Sequence, residues 1–211
     1  MREWMKKSEQ PAEALYSLIP EFVEKIPSHS LLQNHLQGHL LYRVFYYDAR
    51  PFAKKQTNPL NGTVKDYAGS DEYHKGLSML SRLENMSYVA VRQGKTEFRG
   101  WEVNLKKAKK MFSQNSQNDI KIDANDVQPR IEQKGVDMRI GLDIAALSLK
   151  QFANVIVLIG GDSDFVPALK FARTEGRQVI LLTLGHEKIA QELKIHTDIC
   201  IELPLADIME S

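Results

Sequence analysis

The sequence predicts an α/β fold, three layers deep with a mostly parallel central sheet, and three observations predict it. Strand-like and helix-like segments alternate along the second half of the chain, the pattern of βαβ units. The run Val155 to Ile159 is apolar without polar alternation, as a strand covered on both faces by helices should be. At 211 residues the chain is long enough to bury one full α/β core.

Taken in order, residues 10 to 41 read as helical. Leu15, Leu18, Ile19, Phe22, Val23 and Ile26 recur at helical spacing, and Pro20 inside that pattern predicts a break or kink. Ser28 is placed to cap a second helix through Leu31, Leu32, His35 and Leu36, with Gly38 as its terminator. Residues 1 to 41 are therefore expected to form a helical segment packed on a domain spanning 42 to 211.

Tyr42 to Tyr47 is aromatic and β-branched, a strand ending at Asp48. Arg50 to Asp66, with Pro51, Pro59 and Asn61-Gly62, reads as a long loop. A helix is expected over 67–85 and a strand at Tyr88 to Arg92, which Gly94 to Val103 continues as a hairpin. Residues 112 to 128 are polar, with few groups to bury, and are expected to be mobile. Then come a helix from Val136 to Lys150, the strand from Val155, a helix from Phe165 ended by Gly176, and strands at Gln178 to Thr183 and Ile199 to Leu203.

Composition narrows the function classes. Hydrophobic residues make up 43% and charged residues 26%, and Lys+Arg 28 against Asp+Glu 27 leaves a net charge of only +1, which argues neither for nor against a polyanionic partner, so such affinity would need a local patch. A single cysteine, Cys200, excludes an internal disulfide and a multi-cysteine zinc site; it suits a cytoplasmic setting, and its apolar neighbours place it in the core. No apolar run is long enough to span a bilayer and no secretory signal is visible, so no membrane partner is expected. Walker-type loops and nucleophile elbows are missing too, which leaves nucleotide hydrolysis and serine esterase chemistry without support.

The chemistry concentrates where the strand from Val155 runs into Gly160-Gly161-Asp162-Ser163-Asp164. Ligands of open α/β sheets gather beyond the carboxyl ends of strands, and glycines there permit a tight turn. Two carboxylates so close repel each other unless a cation, a basic group or solvent compensates. A hard divalent ion, Mg²⁺ or Mn²⁺, is one such partner, since it takes oxygen ligands. For Asp164 a second reading stands beside this one: it would cap the helix starting at Phe165, with Pro167 harmless in the first turn. For Asp162 the competing reading is a solvated turn residue.

The third acid, Asp137, opens the helix from Val136. That helix is apolar on most sides and is expected to be largely buried, holding Asp137 rigidly; stabilisation of the helix dipole is the competing role. Asp143 lies six residues on, roughly 120° around the axis, so a regular helix cannot aim both at one ion. It falls in the apolar row of Ile140 and Leu147, where a carboxylate needs a partner, and reads as a supporting acid.

The segment KGVDMRIGLDIAALSLKQFANVIVLIGGDSDFVPALKFARTEGRQVILLTL closely resembles the NYN domain, the LabA-like branch of the PIN-like nucleases. The family pattern stands here as Lys134 to Asp137, Asp143, and Gly161 to Phe165; Tyr46-Tyr47-Asp48-Ala49 is similar to the end of the family's second strand. The resemblance implies a PIN-like, Rossmann-like fold and an endoribonuclease that hydrolyses RNA phosphodiester bonds through metal-activated water. It implies Asp137 and Asp162 as metal ligands and catalytic residues, Asp164 assisting, Asp143, Asp48 and Ser163 in support, and Lys134 meeting phosphate.

Members of the family usually open with an apolar strand ending in Asp-Gly-x-Asn, and no such segment precedes Tyr42. The expectation is a chain starting downstream of the true beginning, or a member lacking that strand, with a gap between the strands at 42 and 155. Asp48 would then partly replace the absent acid. This departure motivates a second functional expectation, a catalytically impaired NYN-fold module that binds RNA or a protein and regulates it. Lys106, Lys107, Lys109 and Lys110, near Phe98 and Trp101, could grip a nucleic-acid backbone, or simply form a solvated face. The partners expected are single-stranded RNA and, further, a second copy of the chain or a protein.

Overall fold

The computed structural model describes residues 15–36, 38–105, 107–109, 121–185 and 189–210. Leu15–Lys25 form helix α1, which buries Leu15, Ile19, Phe22 and Val23 along one side. Pro20 does not break it: the residue is buried inside a continuous helix. Its missing N–H costs about 3 kcal/mol in an isolated helix, and here the buried apolar face offsets that cost. A 3-10 turn, Ile26–Ser28, leads to the short α2, Ser30–Gln33. The cap of α2 is His29, whose Nδ1 accepts from the Leu31 N–H at 3.3 Å; Ser28, expected there, donates instead to the carbonyl of Lys25.

Strand β1, Val44–Ala49, is followed by β2, Lys55–Thr57, and β3, Val64–Asp66. The last two make an antiparallel hairpin within the stretch read as loop. Its turn is organised by Asn58 and Asn61, whose side chains accept from the Leu60 and Thr63 N–H groups. Helix α3, Asp71–Glu84, is capped by Ser70. Strand β4, Val89–Val103, is one continuous strand rather than a strand and a hairpin. Its first half runs parallel to β1, pairing Val44 with Val89 through Ala49 with Gly94. Its second half pairs antiparallel with β5, Val127–Lys134, from Lys95–Lys134 to Val103–Val127. A bulge between Phe98 and Trp101 contains Gly100 at φ 105°.

Sequence reasoning did not see β5, because VQPRIEQK is polar and holds a proline. It pairs with β4 alone, and an edge strand tolerates Pro129. Val127 and Gln128, read as the end of the polar loop, begin this strand; residues 112 to 120 lie outside those described.

Helix α4 is Val136–Leu149, β6 is Val155–Ile159, and a 3-10 turn at Ser163–Phe165 leads to α5, Val166–Thr174. Then follow β7, Gln178–Thr183, α6, Gln191–Ile195, β8, Ile199–Glu202, and α7, Leu205–Glu210. Among the described residues the strands form three sheets, β1-β4-β5, β2-β3 and β6-β7-β8. The expected mostly parallel central sheet is met only in part. Parallel pairing holds throughout β6-β7-β8 and between β1 and β4, while β4–β5 and β2–β3 are antiparallel. Among the described residues β1 and β6 do not pair with each other.

The layering follows from the side-chain alternation of β7. Ile180 and Leu182 join one core with Leu15, Ile19 and Phe22 of α1 and with Leu205 and Ile208 of α7. Val179 and Leu181 join another with Ile144 of α4 and Leu169 and Ala172 of α5. β6 divides likewise, Val155, Val157 and Ile159 facing the first core and Ile156 and Leu158 the second. A strand between two helical layers has no polar face, which is why the Val155 to Ile159 run shows no alternation.

Two burial expectations fail. α4 is not largely buried: it packs on α5, β1 and β4 with one face, burying Ile144 and Ser148, while Met138, Leu142 and Leu149 remain 60 to 72% exposed. Apolar composition on all sides cannot say how many sides the fold covers. Cys200 is exposed, because Ile199 and Ile201 take the core-facing positions of the edge strand β8. Among the described residues no helix is long and apolar enough to cross a membrane.

Candidate functional site

The position of Asp137 is set by one left-handed glycine and one close approach of backbone. Gly135, immediately before α4, has φ +75°, and a Cβ on it would come within 2.7 Å of the Arg139 Nη1. On β4, a Cβ on Gly94 would stand 2.6 Å from the carbonyl oxygen of Lys134 and 2.7 Å from Val136 Cγ2. Only glycine at 94 lets β4 lie this close to the β5–α4 turn, and that contact fixes where α4 begins.

Asp137 occupies the first turn of α4. The residue is exposed, yet partial burial of its carboxyl pushes it above the usual aspartate range, and the charges of Asp162 and Asp164 push it further the same way. Those two acids stand just past the carboxyl end of β6. The three therefore share one field, although α4 and the β6–α5 turn are far apart in sequence.

Asp162 and Asp164 divide the roles differently from the expectation. Asp162 caps the 3-10 turn, its Oδ1 accepting from the Asp164 N–H at 3.0 Å, which leaves Oδ2 outside the cap. Asp164 caps nothing, since α5 begins at Val166 with no side-chain cap. Pro167 does lie in the first turn of α5. Neither Gly160 nor Gly161 adopts positive φ, so the turn does not need their left-handed freedom. Asp162, Ser163 and Asp164 are all exposed on the rim.

Asp143 has the partner that its apolar row required. Arg92 on β4 donates to it twice, Nε to Oδ2 at 2.9 Å and Nη2 to Oδ1 at 3.1 Å, and the Tyr47 hydroxyl donates to Oδ2 at 2.9 Å. Burial, then the hydrogen bond to Asp143, raises the Tyr47 phenol, so it stays protonated and donating. Asp48 is only 3% exposed. Its Oδ1 accepts from the Ala49 N–H at 2.8 Å and from Gln133 Nε2 at 3.0 Å, and its Oδ2 from the Tyr46 hydroxyl at 3.2 Å. A carboxylate so engaged ties β1 to β5.

Arg92, Tyr47 and Gln133 were missed by sequence reasoning. Arg92 left one signal: a lone charge in the apolar start of β4 needs an acid nearby, and Asp143 needed a base.

Of the lysines singled out in the sequence, Lys134, Lys107 and Lys109 are among the described residues. Lys134 pairs with Glu132 at 3.1 Å, and its hydrogen bond, with that of Arg130, holds the Glu132 carboxyl below the usual range. Lys107 pairs with Asp126 at 3.4 Å and donates to the carbonyl of Asn125. Lys109 is exposed, and Lys106 and Lys110 lie outside the described residues.

Among the described residues, no three acidic, histidine or cysteine side chains are gathered closely enough to enclose a metal ion. The donors on the rim are nonetheless all hard oxygens, and Mg²⁺ commonly uses one or two carboxylates with retained waters rather than a protein cage. Asp137 and Asp162 fit that open mode of binding.

Parallel strands covered by helices on both faces, with acids delivered to one carboxyl edge, define an α/β domain with an acidic rim. The family model for the NYN domain matches residues 47–204, three-quarters of the chain, and the protein belongs to that family. No curated protein and no solved structure matches the chain.

Proposed function

We propose that the protein is a divalent-metal-dependent endoribonuclease that hydrolyses phosphodiester bonds of single-stranded RNA at the rim of Asp137, Asp162 and Asp164. The observation carrying this reading is the carboxyl of Asp137, raised by burial and then by the charges of Asp162 and Asp164, on an NYN domain, a family of the PIN-like nucleases. Three acids so placed lower their energy when a cation or proton joins them. Mg²⁺ or Mn²⁺ would supply a water of lowered pKa and would neutralise charge on the phosphate. On the protein's side, Asp137 and Asp162 offer the oxygen donors, and Asp164 can accept a proton or position water. Asp143, held by Arg92 and Tyr47, keeps α4 docked on β4 and so keeps Asp137 in place.

Asp162→Asn tests this reading cleanly, because asparagine is as good a cap acceptor as aspartate and the turn survives. Cleavage of single-stranded RNA is expected with Mg²⁺ or Mn²⁺, to stop with EDTA, and to fall at least roughly 100-fold in the variant, the scale of losing a charge-stabilising group. Equal cleavage by variant and parent would reveal a contaminant and sink the proposal.

A second reading, a catalytically impaired module that binds RNA or a protein, is favoured by the internal use of Asp48 and, among the described residues, by the lack of an ion-enclosing cluster. RNA that binds and survives with both metals selects it. Location in the cytoplasm and assembly into homo-oligomers are expectations that gel filtration and tagging would check.

A further inference from the structure

Along α4, Met138, Leu142, Ala145 and Leu149 recur at intervals of four, three and four residues. At about 100° per residue they fall within roughly 60° of arc, on the side turned away from buried Ile144. That spacing is the a/d seam of a coiled coil, an apolar face that a second helix covers. Among the described residues no helix takes it. α4 packs on α5, β1 and β4 with its other face, and Met138, Leu142 and Leu149 stay exposed.

Gly141, beside this stripe, is an independent observation. Its φ is not left-handed, and a Cβ on it would meet nothing within 4 Å. Among the described residues nothing therefore calls for glycine in mid-helix, where it is one of the poorest residues. A neighbour approaching from outside would, because a missing side chain lets two helix backbones close up.

The pattern also says which neighbour fits. The intervals four, three and four read the same from either end. Two copies of α4 laid antiparallel therefore match residue for residue: Met138 opposite Leu149, and Leu142 opposite Ala145, large against small at the centre. Such an isologous contact needs the same self-complementary patch on both partners. Antiparallel helix dipoles attract. The two charges within the span turn elsewhere, Asp143 to Arg92, and Arg139 to the Gly135 carbonyl at 2.7 Å.

We infer that the exposed face of α4 is the surface on which two copies of this chain pair, helix against antiparallel helix across a two-fold axis. One helix face from each copy buries on the order of 1,000 Å² in total, the size of weak, reversible associations. The two Asp137 residues then stand at opposite ends of the helix pair, roughly 20 Å apart along its axis. This gives the expected self-association a surface, and it does not depend on the ribonuclease reading.

The test is light scattering on the full chain from about 1 to 300 µM, the range in which so small an interface dissociates. The mass is expected to rise with concentration from that of one chain toward that of two. Leu142→Glu should weaken pairing at least roughly tenfold, since it sets a charge against an apolar face. Gly141→Gln should weaken it too, yet melt no lower than the parent in dilute solution, because glutamine is the better helix former. That variant separates lost pairing from lost folding. Orientation is read by disulfide formation in a Cys200→Ser background, since Cys200 is exposed. Met138→Cys mixed with Leu149→Cys should cross-link faster than either variant alone. A mass that stays at one chain throughout, whether or not another protein binds the stripe, would overturn the inference. So would pairing that Leu142→Glu leaves intact, or cross-linking as fast for each cysteine alone as for the mixture.

Discussion

Arg92 and Asp143 form a two-pronged ion pair, at 2.9 and 3.1 Å, that bolts the middle of α4 to the parallel half of β4. The acid is the more buried partner, its side chain 19% exposed against 44% for the arginine. Truncating the two should therefore cost different amounts.

Asp143→Ala strips a bond from the partly buried Tyr47 hydroxyl as well as the pair, and is expected to lower stability by about 2–3 kcal/mol. Arg92→Ala removes a half-exposed group and should cost about 1 kcal/mol. Urea unfolding of both singles and the double should give a coupling near 1 kcal/mol. Additive costs would mean that the pair contributes nothing.

Gly94→Ala places a methyl group against the backbone of Lys134 and the side chain of Val136. Backbone cannot swing aside as a flexible side chain can, so a loss of about 1–3 kcal/mol is expected, as for an overpacked core. Because the displaced turn carries Asp137, RNA cleavage should also slow in protein that remains folded by circular dichroism. An unchanged melting temperature would contradict the close approach.

Folding raises the carboxyl pKa of Asp137, so the folded state prefers it protonated. The sign of the linkage is unfavourable at neutral pH. Below the ordinary aspartate pKa of about 3.9 nothing is lost, and stability falls as pH rises through the raised folded value. Asp137→Asn should therefore melt higher than the parent at pH 7 in EDTA, with the difference shrinking as pH falls to about 4. Adding Mg²⁺ should raise the parent's melting temperature more than the variant's. A variant less stable than the parent at pH 7 would contradict this assignment.

The exposed face of α4 makes the opposite kind of prediction. Leu142→Glu, at a position 62% exposed, should change stability by no more than about 0.5 kcal/mol. Ile144→Ala, two residues on and 4% exposed, should cost about 2–4 kcal/mol. Similar losses at both sites in thermal melts would mean that α4 is covered on both sides.

Strand-to-acid order was legible in the sequence because local patterns carry it. The Val155 to Ile159 run, the turn into Asp162 and Asp164, Pro167 in the first turn of α5, and the start of α4 after Gly135 all depend on residues within a few positions of one another. The need of Asp143 for a partner was also readable, since an acid in an apolar row announces a debt without naming who settles it.

What the chain alone determined, then, is which segments pair their backbone internally or as a strand buried on both faces, and which acids stand at their ends. The tertiary structure decided everything that depends on a distant neighbour: that polar β5 becomes a strand because β4 offers it a ladder, that α1 runs through Pro20 because a core receives it, and that α4 leaves one apolar side in water. It also decided that Asp48 turns inward to Gln133 while Asp137 feels the charges of Asp162 and Asp164. The physical reason is the same in each case: hydrogen-bond partners, burial and charge repulsion are properties of pairs, and the members of these pairs lie tens of residues apart along the chain.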